Sequence, residues 1–89
     1  MIFKKYKSII KEEVDKVLQE NNYPKIEYQI KENTNPEFGE LYTNIPFTLS
    51  KPIKKNPMNI AEDIQKKLKF NDSILAEVSK PGYINFKIN

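Results

Sequence analysis

Residues 74–88 constrain this chain more than any other stretch. Ile74, Ala76 and Val78 recur at every second position, Lys80-Pro81-Gly82 interrupts them, and Tyr83-Ile84-Asn85-Phe86-Lys87-Ile88 resumes the alternation. A period of two on either side of a turn predicts a β-hairpin. Two strands alone are marginal in water, so the hairpin needs further strands and a cover over its apolar face.

The beginning of the chain supplies a helix. Ile2, Phe3, Tyr6, Ile9, Ile10, Val14, Val17 and Leu18 recur at spacings of three and four, which predicts an amphipathic helix with one buried stripe. Asn21, Asn22 and Pro24 end it. Ile26, Tyr28 and Ile30 then alternate with Glu27, Gln29 and Lys31, the period of a half-exposed strand. Residues 32–40 carry turn chemistry throughout except for Phe38 and predict an exposed loop. Leu41-Tyr42-Thr43 predicts a short strand. The following stretch has two readings: a helix capped by Asn44 with Pro46 in its first turn, or a strand through the alternation of Ile45, Phe47 and Leu49, against which Pro46 argues. A clearer helix follows Asn56, with Pro57 at its first position and Met58, Ile60, Ala61, Ile64 and Leu68 facing inward. The expected fold class is α+β: a small, mainly antiparallel sheet of about four strands with helices packed on it, the N-terminal amphipathic helix coming first. With 89 residues the chain holds one core, so residues 1–89 form a single domain.

Composition narrows the chemistry. The chain has no cysteine and no histidine, which removes disulfides, thiolate metal ligands, the commonest general base and the commonest metal ligand together. No catalytic residue and no metal site is expected. Only Gly39 and Gly82 are glycines, and neither sits in a phosphate-cradling pattern. The adjacent acids Glu12-Glu13 and Glu62-Asp63 diverge on a helix and are read as solvated charge. No run approaches the roughly 20 apolar residues of a membrane span, and the start shows no apolar signal-peptide block, so a cytoplasmic location is expected. All fifteen basic residues are lysine, with a net charge of +3 and a pI near 9.0; this mild excess favours a polyanionic partner without demanding one.

Two places can carry binding. In Asn35-Pro36-Glu37-Phe38-Gly39-Glu40 a solitary aromatic stands between turn residues. Phe38 either plugs the core or stacks on an unpaired base whose edges Asn35 and Glu40 could meet. Lys51, Lys54 and Lys55 form a basic turn that either is merely solvated or meets phosphates.

The segment Phe38-Gly39-Glu40-Leu41-Tyr42-Thr43-Asn44-Ile45-Pro46-Phe47-Thr48-Leu49-Ser50-Lys51, with Lys55-Asn56-Pro57 and Ile60-Ala61-Glu62 after it, resembles the N-terminal domain of arginyl-tRNA synthetases. The close, Val78-Ser79-Lys80-Pro81-Gly82-Tyr83-Ile84-Asn85-Phe86-Lys87-Ile88-Asn89, resembles that domain's ending, and the likeness spans nearly the whole chain. The resemblance implies an appended α+β module that meets the D-loop of tRNA-Arg while a separate catalytic domain, which uses ATP, performs aminoacylation. It implies tRNA-Arg and that catalytic domain as partners, with no membrane or DNA partner, and no cofactor held by this chain itself. By position it carries Asn35, Phe38 and Glu40 onto the loop residues that meet an exposed D-loop base, Phe38 being the stacking platform. Some members have an amide side chain where this chain has Glu40, which accepts hydrogen bonds and repels phosphate. The alternative from another class is a protein-docking module without RNA contact.

Overall fold

In the computed structural model, which describes residues 3–89 (the side chain of Pro36 excepted), the hairpin expected from residues 74–88 is the larger part of the sheet. Its strands β3 (Ile74–Ser79) and β4 (Tyr83–Ile88) pair antiparallel from Ile74 opposite Ile88 to Ser79 opposite Tyr83. β2 (Leu41–Thr43) joins the other edge of β4, and β1 (Lys31–Glu32) lies outside β2, giving the order β1-β2-β4-β3 with every pairing antiparallel. The architecture is the expected α+β one, a four-stranded antiparallel sheet with three helices and a helix first.

Alternation sends Leu41, Thr43, Ile74, Ala76, Ile84 and Phe86 to one face, where all six are buried. The helices pack there. α1 (Lys4–Glu20) contributes Ile10, Val14, Val17 and Leu18 to the core, with Phe3 and Tyr6 half-buried beside them; Ile9, expected on the stripe, is exposed, and Ile2 lies outside the described residues. α3 (Pro57–Lys67) begins as expected, the Asn56 side-chain oxygen accepting from the Met58 amide at 2.8 Å, and buries Ile60, Ala61 and Ile64. Phe86 sits at the centre without accessible surface, and truncating such a ring to alanine typically costs about 3 to 5 kcal/mol.

The ambiguous stretch is a helix, α2 (Ile45–Ile53). Pro46 explains the outcome: it has no amide to give a sheet, whereas the first turn of a helix has no use for one. Asn44 occupies the N-cap but forms no side-chain cap; instead the Thr43 hydroxyl accepts from the Ile45 amide at 3.3 Å.

The expected strand over residues 26–30 does not form, and the ladder begins only at Lys31. Its alternation is nevertheless real as burial: Ile26, Tyr28 and Ile30 turn inward and Glu27 and Gln29 outward. The segment is held by side chains rather than by a neighbouring strand. The Tyr28 hydroxyl donates to Asp15 at 2.5 Å, and the Lys11 ammonium lies 4.1 Å from the Tyr28 ring centre. Likewise the Tyr23 hydroxyl donates to Asp63 on α3 at 2.5 Å.

Candidate nucleic-acid interface

With all three helices on one face of the sheet, the other face stays open. Register places Tyr42, Asn85 and Glu77 in one row across it, with Lys31 beyond Tyr42 and the Ser79 and Tyr83 pair in the next row. A groove of about 300 Å³ crosses this surface, lined by Phe38, Tyr42, Tyr83, Asn85, Ser79 and Lys80 together with residues 32–34.

Phe38 is delivered by the loop before β2. Pro36–Phe38 is one turn of 3-10 helix, in which the Asn35 side-chain oxygen accepts from the Glu37 amide at 3.0 Å and the Asn35 carbonyl from the Phe38 amide at 3.2 Å. Gly39 then turns the chain back at φ 94°. A Cβ there would stand 2.7 Å from the Phe86 carbonyl oxygen, so glycine is required both for its dihedral and for its size. The Phe38 ring is left 46% exposed at the groove, which excludes the core-plug alternative.

Tyr83 also lines the groove and is held in place by two edge-on rings, Phe47 at 5.1 Å and Tyr42 at 5.9 Å between centroids. Asn85 makes the floor. It is only 5% exposed, although it lies on the sheet face away from the helices. Its amide nitrogen donates to the Ser79 hydroxyl at 2.7 Å, while its side-chain oxygen receives no protein donor among the described residues. No fully buried side-chain polar atom lacks a partner among those residues, so that oxygen is not sealed from solvent. A primary amide so placed offers one acceptor and one remaining donor, the pair a nucleobase edge complements.

The expected site residues therefore separate. Phe38 lines the groove; Asn35 shapes the turn that carries it; Glu40, half-buried, accepts from the Ile88 amide at 2.7 Å and joins the loop to β4. Lys51, Lys54 and Lys55 lie at the end of α2, where Lys54 adopts a left-handed conformation, φ 54°. They do not line the groove. A Cβ on Gly82 would stand 2.8 Å from the Pro57 side chain, so the β3–β4 turn bearing Lys80 rests on the start of α3, two residues beyond Lys55. All four lysines are exposed and without an ion pair among the described residues. Tyr42, Lys80, Tyr83 and Asn85 were not foreseen as site residues. One signal was available for Asn85: asparagine is disfavoured inside a strand and needs a reason to be there.

Among the described residues no cluster of acids suited to a metal ion occurs, and no helix is long and apolar enough to cross a membrane.

The framework is three helices over one face of a four-stranded antiparallel sheet, with an aromatic groove on the other. The Thermus thermophilus arginyl-tRNA synthetase contains the same fold, superposing with a TM-score of 0.80 over 93% of this chain and 14% of its own at 23% identity. A profile of the arginyl tRNA synthetase N terminal domain matches residues 4–88, and the chain belongs to that family. The arginine-tRNA ligase of Mycoplasmoides gallisepticum is 40% identical over 87 residues, 97% of this chain, and that of Thermotoga maritima 37% identical over 78 residues. The chain spans only 15% and 14% of the length of these two relatives.

Proposed function

We propose that this domain binds tRNA-Arg on its open sheet face, receiving an unpaired D-loop base between Phe38 and Tyr83 over the Asn85 amide, for an arginine-tRNA ligase whose ATP-dependent chemistry belongs to a separate catalytic domain in the cytoplasm. The observation that carries this reading is the groove itself, lined by two exposed rings and by a buried amide whose oxygen receives no donor among the described residues. A solvent-facing sheet surface normally presents charge, and a base is the ligand class that uses flat aromatic faces and amide edges together.

The basic turn supports the same reading. Lys51, Lys54, Lys55 and Lys80 add attraction to phosphates without selecting sequence, which assigns placement to the lysines and discrimination to the groove. Asn35 and Glu40 enter this reading through the loop they shape.

The test is a binding titration of the intact protein against tRNA-Arg and a non-cognate tRNA at several salt concentrations. RNA recognition predicts affinity that falls steeply with salt and a preference for tRNA-Arg that persists. Salt-insensitive association, or equal affinity for both tRNAs, contradicts it, and the former would favour a protein-docking role instead.

A further inference from the structure

Resting on that reading, we propose that Asn33 is the positioning residue for the Phe38 platform: its side-chain amide gathers the carbonyls of the loop and thereby sets the ring against the groove. The Asn33 Nδ2 lies 3.3 Å from the Phe38 carbonyl oxygen, 3.1 Å from that of Gly39 and 3.4 Å from that of Leu41. Its backbone amide donates to the Glu40 carbonyl at 3.0 Å. One residue thus closes the mouth of the loop with both its donor groups.

The chemistry admits few substitutes. Three converging carbonyl oxygens accept only a donor, which fixes the orientation of the amide, and two N–H hydrogens are shared among three acceptors. An isosteric carboxylate offers no donor at neutral pH and would face those oxygens with its own charge. The carbonyls converge because Gly39, at φ 94°, reverses the chain directly after Phe38. Apart from this latch, the three-residue turn is held by the short Asn35 contacts, and the tie from the Glu40 amide to the Phe86 carbonyl at 3.0 Å lies beyond the ring. Ordering the platform before the base arrives removes an entropic cost that binding would otherwise meet.

Asn33 also borders the groove, so direct contact with RNA has to be separated from positioning. A double-mutant cycle in the intact protein does this. Asn33→Ala, Phe38→Ala and the double variant are titrated with tRNA-Arg, and amide hydrogen exchange at Phe38 and Glu40 is followed in the absence of RNA. Each single substitution is expected to weaken binding by about tenfold, the order of one stacking contact. The double variant is expected to bind no worse than Phe38→Ala, and exchange at Phe38 to quicken in Asn33→Ala. Losses that multiply in the double variant overturn the proposal, as does unchanged affinity in Asn33→Ala while Phe38→Ala binds weakly; both leave RNA binding by Phe38 intact. Unchanged affinity in Phe38→Ala overturns the stacking reading and this inference with it. Asn33→Asp, which keeps the shape of the side chain, repeats the cycle. A collapse of the thermal midpoint in both Asn33 variants marks a general support of the fold and also overturns the positioning role.

Discussion

The Glu40 carboxylate accepts a hydrogen bond from the Ile88 amide at 2.7 Å, joining the recognition loop to the last strand across 48 positions of sequence. Glu40→Gln retains an acceptor oxygen and removes one negative charge, so stability should hold and tRNA affinity should rise or stay level. Glu40→Ala leaves the strand amide without that partner and should lower stability by about 1 kcal/mol. Thermal melts and titrations of the two variants side by side check both statements, and equal losses in both would show that the charge rather than the anchor matters.

Phe38→Ala should reduce affinity for tRNA-Arg by about 1 to 3 kcal/mol. Its thermal midpoint should stay near that of the parent, because a ring already 46% exposed contributes little burial. A drop of many degrees would make the ring a packing element.

Gly39→Ala should be the most damaging single-methyl change in the loop. The positive φ and the Phe86 carbonyl 2.7 Å from the added carbon both resist it, at a cost of about 1 to 3 kcal/mol. Calorimetry should show a midpoint lower by several degrees, with weakened tRNA binding alongside.

Replacing Lys51, Lys54 and Lys55 singly by alanine should flatten the dependence of log affinity on log salt by about one contact each wherever the lysine meets a phosphate. The ratio between tRNA-Arg and a non-cognate tRNA should not change. Lys16→Ala on the exposed side of α1 serves as the control. A changed ratio would give these lysines a part in discrimination.

Asp63 makes one part of the stability acid-sensitive. The Tyr23 hydroxyl first, and the Lys67 ammonium at 3.0 Å second, hold its carboxyl below the ordinary value of 3.8. A depressed carboxyl contributes stability that is present above its unfolded value and disappears as pH falls through the lower folded value. Asp63→Asn should therefore melt earlier than the parent near neutrality, and the gap should close as pH falls below about 4. A gap that stays constant over the acid range would remove Asp63 from the acid response.

Much of the fold was legible in residue order because period and punctuation are local properties. The alternation about Lys80-Pro81-Gly82 marked the hairpin, and Asn56-Pro57 marked the start of α3, since capping and turn geometry involve only neighbouring residues. Residues 26–30 show the limit. Their alternation reported which side chains turn inward, but a ladder needs a partner strand, and Tyr28 instead found Asp15 and Lys11 on α1.

The candidate site divides in the same way. That an aromatic stands in a glycine-bearing polar loop can be read from residues 35–40. That Phe38 shares a groove with Tyr83 and Asn85 cannot, because more than forty residues separate them and only the pairing of β2 with β4 brings them together. The chain's own order thus determined most of its elements and its family. Which polar groups converge, and that Asn33 gathers three carbonyls beneath Phe38, was decided by tertiary structure, since hydrogen bonds depend on distances that exist only once the sheet has closed.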